Sequence, residues 1–173
     1  MDIYIIAQFI GFLGYLFYIG APYFKTQVRI IQMDVIACVI LCAQWYLLDQ
    51  PSLLVLNALA VLISVVALLA PKYEHSRTCL LLLYPIGCFA IISVSTGSII
   101  DVMAIIAFCC ALTSKSSQDI TGLRAYAVIG GSVLIISGAI ALSIPAMIFN
   151  ILFVSGHAVK LWQNNNQAQL ARA

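Results

Sequence analysis

Long stretches of this chain are almost wholly hydrophobic, at roughly 3–24, 30–48, 51–70, 78–95, 98–113, 123–142 and 144–162. Each approaches the roughly 20 apolar residues that an α-helix needs to cross a hydrocarbon core about 30 Å thick. The shortest is the fifth, where only about 14 uninterrupted apolar residues follow Ile99. Lipid leaves every backbone N–H and C=O to be satisfied inside the spanning element, so runs of this length predict helices. The pattern predicts an all-α, polytopic membrane protein with seven transmembrane helices.

The polar punctuation between the runs is sorted by side. Lys25 and Arg29 fall in the first connection, Lys72 and Arg77 in the third, Lys115 and Arg124 in the fifth, and Lys160 and Arg172 at the C-terminal end. The second, fourth and sixth connections carry no Lys or Arg. Translocating positive charge is disfavoured, so this distribution predicts a periplasmic N-terminus and a cytoplasmic C-terminus. Composition agrees: 64% apolar and 8% charged residues leave too little polar surface to coat a soluble globule. The bilayer is the expected partner. A net charge of +2 with no basic stripe excludes nucleic acid. The first run has neither a basic leader nor a small-residue cleavage site and is expected to be a retained helix. Cys38, Cys42, Cys79, Cys88, Cys109 and Cys110 all lie within apolar runs, as small hydrophobes, and predict no metal or cofactor site.

An internal repeat organises the spans. Pro51-Ser52-Leu53-Leu54-Val55-Leu56-Asn57 opens the third run and Ile144-Pro145-Ala146-Met147-Ile148-Phe149-Asn150 the seventh. Each has a Pro in the first helical turn, where its missing N–H costs nothing, and an Asn further in. Aligning these Asn residues sets Ser64 opposite His157 on the same helical face. Spans 1 to 3 then match spans 5 to 7, with span 4, around Cys79 to Val94, as a linker. An odd number of intervening spans makes two parallel three-helix repeats related by an axis along the membrane normal. The expected boundaries are 1–77 for the first bundle, 78–97 for the linker, 98–162 for the second bundle and 163–173 for a polar, solvated tail.

Several short stretches carry a resemblance. Ala7-Gln8-Phe9-Ile10-Gly11, Gly20-Ala21-Pro22-Tyr23, Gln44-Trp45-Tyr46 and Leu56-Asn57-Ala58 resemble a PQ-loop or SWEET-type triple-helix bundle. More closely, the chain as a whole resembles the YgjV family of bacterial inner membrane proteins. That match runs through Ala7-Gln8, Gln50-Pro51 to Asn57-Ala58, Phe108-Cys109-Cys110 and Phe149-Asn150 to Lys160-Leu161-Trp162. The resemblance implies an inner-membrane location, a solute site between the repeats and a hinge at Pro22, the one proline that matches a SWEET-type bend.

Polar residues inside lipid are costly and face the bundle interior, which makes them the site candidates. At 1.5 Å rise per residue, Asn57 and Asn150 lie about 8 to 9 Å below the outer surface. Their amides suit the hydroxyl or amide groups of a neutral solute, and the alternative is a hydrogen bond to a neighbouring helix. Trp45 either stacks on that solute, as the SWEET-type resemblance implies, or belongs to the interfacial aromatic belt. His157 and Gln8 are candidates for a gate or proton-linked group, against an interfacial His and a plain interhelical amide. Asp34 and Asp101, near opposite ends of their spans, are expected at the interface within reach of water. Gly11, Gly14, Gly130, Gly131 and Gly138 predict close helix packing on spans 1 and 6. No catalytic triad, carboxylate pair, phosphate loop or HExxH is present, so an enzyme is not expected. The reading is a small-solute transporter or facilitator, with a membrane receptor, adaptor or structural protein of the same fold as the alternative.

Overall fold

The computed structural model describes residues 2–69, 76–117 and 119–170. Lys72 and Arg172 lie outside the described residues, as does the side chain of Arg77. Within them the chain forms seven helices: α1 (Ile3–Gly20), α2 (Gln27–Leu47), α3 (Pro51–Leu69), α4 (Ser76–Ser93), α5 (Ile99–Ser116), α6 (Ile120–Ile140) and α7 (Ile144–Leu170). A 3-10 turn at Ala21–Tyr23 closes α1. Among the described residues six helices are long and apolar enough to cross a membrane, and α4 contributes the shorter apolar stretch Leu82–Ser93. The fifth span, shortest by sequence, is a full helix of 18 residues, because Thr113, Ser114 and Ser116 extend it beyond the apolar run. Thr113 and Ser116 return their hydroxyls to carbonyls four residues back, at 2.7 Å each, which lets polar residues continue a helix without stranding a donor. The last helix also continues beyond Trp162, through the polar stretch expected to be frayed, to Leu170. Gln and Ala are good helix formers, and propagation from an existing helix needs no new nucleus.

Six helices close into a ring in the order α1, α2, α3, α5, α6, α7 and back to α1, while α4 packs outside against α3 and α5. Polar clasps join the ring at both ends. Gln27 Nε2 donates to the Ser117 carbonyl at 3.1 Å, and Tyr4 Oη donates to the Leu142 carbonyl at 2.8 Å. Asp101 was expected at the interface but is buried. Its carboxylate accepts from Ser52 Oγ on α3, from Ser95 Oγ at 2.8 Å and from the N–H groups of Thr96 and Ser98 at 3.0 and 2.8 Å. These donors take the place of water, so the acid is sealed in as the clasp between the α4–α5 link and α3.

The α2–α3 and α6–α7 links are built alike. In the first, N–H groups of Leu48, Asp49 and Gln50 donate to carbonyls of Gln44, Tyr46 and Trp45; in the second, those of Ala141, Leu142 and Ser143 donate to Ser137, Ala139 and Gly138. Asp49 and Leu142 take left-handed backbone, with φ of 52° and 53°. The first two helices on either side of α4 match in length, α1 and α5 with 18 residues and α2 and α6 with 21, whereas α3 has 19 and α7 has 27.

The glycines expected to pack helices closely do so. A Cβ on Gly138 would lie 2.8 Å from Ala146 Cβ and 3.2 Å from the Met147 backbone N, so α6 and α7 meet backbone to backbone there. A Cβ on Gly20, at the end of α1, would meet nothing within 4 Å. Gly138→Ala should therefore lower stability by about 1 to 3 kcal/mol through overpacking. Gly20→Ala should be neutral or stabilising by up to about 1 kcal/mol. Thermal unfolding of both variants in detergent checks the contrast; equal losses would show that Gly138 is not a close-approach point.

Candidate functional site

Two apolar clusters divide the interior of the bundle. The larger gathers Tyr15, Leu41, Trp45, Leu53, Leu56, Phe108 and Phe149; the smaller gathers Ala21, Ile30, Ile31, Leu123 and Phe153, next to the Lys- and Arg-bearing links. A cavity opens beside the smaller cluster, at the basic end of the ring. Its walls come from α1, α2, α5, α6 and α7, and its polar lining is Tyr18, Asp34, Ser114, Lys115, Tyr126 and His157. Space for water-sized centres amounts to about 70 Å³, enough for a few waters or a small polar group. Small residues make that space: Ala107 and Ala111 on α5 and Gly130 and Gly131 on α6 all lie on its wall.

The dominant chemical feature of the wall is a buried ion pair. Lys115 Nζ, in the last turn of α5, meets Asp34 Oδ2, in the second turn of α2, with both side chains almost fully covered. Lys115 also donates to the Ala60 carbonyl at 3.4 Å. Asp34 is within reach of Ser64 Oγ at 3.3 Å and Cys38 Sγ at 3.7 Å. Ser64 has one hydroxyl proton and a second acceptor, the Ala60 carbonyl at 2.5 Å, so its bond to Asp34 alternates with its bond to the helix. Both members differ from the sequence expectation. Asp34 is not at a watery interface, and Lys115 and Arg124 are not loop charges, since α5 runs to Ser116 and α6 begins at Ile120. Lys115 reaches back along its long stem into the bundle because the carboxylate is there to receive it.

His157 stands on the same wall, fully buried, its ring edge-on to Phe153 with centroids 4.4 Å apart. Neither ring nitrogen has a hydrogen-bond partner within the protein. A buried imidazole with both nitrogens unpaired is an open recognition group, because leaving it so costs free energy that a bound polar group would recover.

The other candidates lie elsewhere. Trp45 is buried in the larger cluster rather than at the lipid boundary, and Asn57 and Asn150 are buried with it toward the opposite end of the bundle. None of the three lines the cavity. Each Asn turns its Nδ2 onto its own helix, Asn57 to the Leu53 carbonyl at 2.8 Å and Asn150 to the Ala146 carbonyl at 2.7 Å. Asn150 Oδ1 is left without a partner. Gln8 is half-buried with its amide oxygen and nitrogen unpaired. Gln44, beside Trp45 in sequence, is fully buried and donates to Ser143 Oγ at 2.8 Å. Pro22 is buried in the 3-10 turn, its carbonyl facing Arg124 at 3.5 Å. Among the described residues no three His, Cys, Asp or Glu side chains converge where a metal ion would sit.

The Asp34–Lys115 pair escaped the sequence reading because its partners stand far apart in the chain. The available signal was one acid inside an apolar run and one base just beyond another. Burial without a partner costs each charge heavily, so Asp34→Leu or Lys115→Met alone should lower stability by about 3 to 5 kcal/mol. The double variant, which removes both charges, should recover most of that loss. Thermal unfolding of the three proteins forms a double-mutant cycle, and additive losses would mean the charges do not depend on each other.

A family model described as a bacterial inner membrane protein, Imp-YgjV, matches residues 5–168 of the chain. Searches of curated proteins and of solved structures returned no match.

Proposed function

The chain belongs to the Imp-YgjV family of bacterial inner membrane proteins, and from that premise we propose that it carries a small solute across the membrane by alternating access. In this reading α1–α3 and α5–α7 are parallel repeats joined by α4, in the manner of PQ-loop and SWEET-type proteins. The equal lengths of α1 and α5 and of α2 and α6, the identical bonding of the α2–α3 and α6–α7 links and the order of helices around the ring support the repeat.

One observation carries the functional reading: the buried ion pair that bridges the two halves on the wall of a polar cavity, with Asp34 from the first half and Lys115 from the second. A structural bundle has no need of it, since apolar side chains of similar size pack as well or better. A transporter does, because a pair formed across the moving boundary latches one conformation and can be released when a solute or water takes over its contacts. The cavity charges cancel, which suits a neutral solute with hydroxyl or amide groups, and His157 supplies an unpaired contact. The opposite half of the bundle is closed here by Trp45, Leu53, Leu56 and Phe149. Opening on that side would uncover the amides of Asn57 and Asn150 and the ring of Trp45 as the second part of the solute path, with Pro22 as the hinge.

Lys25, Arg29, Lys115, Arg124 and Lys160 all stand near one end of the helices, which supports a cytoplasmic location for that end. A fluorescent reporter fused after Leu170 should therefore be active inside the cell, and an export-dependent phosphatase inserted at Asp49 active outside. The reverse pattern defeats the orientation. Alternating access is tested by single cysteines at Ala111 and Ala127, both on the cavity wall, in a chain freed of its native cysteines. A membrane-impermeant thiol reagent should label them in whole cells as well as in inverted vesicles. Labelling in inverted vesicles alone would indicate a one-sided pocket, as in a receptor or adaptor, and no labelling from either side would indicate a structural bundle.

A further inference from the structure

A second pocket lies at the basic end, outside the ring cavity, between the turn after α1 and the last turns of α7. It holds about 430 Å³ and is lined by Tyr23, Phe24, Lys25, Ile120, Arg124, Lys160, Gln163 and Asn164. Its cations are Lys25, Arg124 and Lys160, and among the described residues no carboxylate lies within ion-pair distance of any of them. The nearest acid by sequence, Asp119, is occupied in capping α6: its Oδ1 accepts from the Gly122 N–H at 2.5 Å and from Ser117 Oγ at 3.2 Å.

Charge sidedness alone does not account for this arrangement. A topogenic cation needs only to sit in a loop, whereas Arg124 is 4% exposed, packed beneath the chain at Pro22–Phe24. Its guanidinium reaches the Pro22 and Phe24 carbonyls at 3.5 and 3.3 Å, and its buried Nε has no partner in the protein. A buried, incompletely bonded guanidinium beside two ammonium groups is matched chemically by a dianionic or monoanionic oxygen cluster. The level of the pocket indicates where such a group comes from. Tyr23, on its rim, is 68% exposed, and Trp162, two residues beyond Lys160, is 66% exposed. Tyr23 and Trp162 fall at the ends of the apolar spans Ile3–Tyr23 and Ile144–Asn164, and exposed Tyr and Trp there mark the headgroup plane, where phosphodiesters are concentrated.

We propose that the Lys25–Arg124–Lys160 pocket binds a phosphate-bearing anion at the membrane surface, the headgroup of an anionic phospholipid. The bound phosphate bridges α1, α6 and α7 and neutralises charges that otherwise repel. This assignment is independent of the transport reading, since the pocket does not share its cationic residues with the ring cavity.

The test is thermal unfolding of the full chain in detergent with added phosphatidylglycerol, phosphatidylcholine or inorganic phosphate. Saturating phosphatidylglycerol should raise Tm by about 5 °C or more, and phosphatidylcholine should not. Lys25→Gln/Lys160→Gln should lose most of that rise, while Arg29→Gln, an exposed cation outside the pocket, should keep it. The single variants Lys25→Gln and Lys160→Gln give the same reading with half the charge removed, should the double variant fail to fold. A rise with inorganic phosphate alone, abolished by the same substitutions, supports the site but identifies a free phosphate as the ligand. Equal rises with the two lipids, or a loss as large in Arg29→Gln as in the pocket variants, would overturn the proposal.

Discussion

An ammonium and a carboxylate held together inside the bundle set the terms on which its two halves stay joined at the basic end. Neither charge tolerates burial alone, because removing an ion from water costs several kcal/mol even after the protein relaxes. The attraction between them strengthens as the local dielectric falls, so the pair favours whichever conformation keeps it covered. Around it the structure supplies further polar contacts: the Ala60 carbonyl for Lys115, and the Ser64 hydroxyl and Cys38 thiol for Asp34. Those contacts come largely from α2 and α3, so the first half holds the acid in place and the second half brings the base to it. The junction is strong when dry and weak when wetted.

This junction borders a cavity where packing is incomplete. At the other end, aromatic and branched side chains of Tyr15, Trp45, Leu53 and Phe149 fill the interior, and Gln44 and Ser143 clasp one half to the other through a buried hydrogen bond. Near the basic end Ala107, Ala111, Gly130 and Gly131 leave room that no side chain occupies.

Much of the architecture was legible in the chain. Apolar runs gave the helices because the backbone in lipid has few alternatives, and the Pro and Asn pattern of the third and seventh runs pointed to links that do bond alike. Of the charges sorted by side, Lys25, Arg29, Lys115, Arg124 and Lys160 stand near one end of the helices. What hydropathy could not convey was where a long side chain goes once its backbone is placed. The fifth apolar run ends at Leu112, yet the helix continues through Lys115, whose stem carries the ammonium inward. Asp34 looked interfacial because its partner is contributed by a different half of the chain. Depth, the repeat and amide chemistry point Asn57 and Asn150 to a solute or a neighbouring helix, and none of these reveals that each amide folds back onto its own helix.

The two links that bond alike frame a difference in side chains. Measured from the two similar links, Trp45 corresponds to Gly138 and Ser64 to His157. At the first position a bulky ring fills the packed end from one side, while on the other side the missing side chain lets α7 approach α6 directly. At the second position Ser64 hydrogen-bonds toward Asp34, whereas His157 faces the cavity with both nitrogens unpaired. Ser64 thus supports the acid of the pair that joins the two halves, while His157 leaves an open contact at the corresponding position. A strictly symmetric bundle would place either two latches or two open contacts around its axis. The closed ion pair and the unpaired imidazole thus meet on the wall of one small cavity, although the two halves contribute unlike side chains to it.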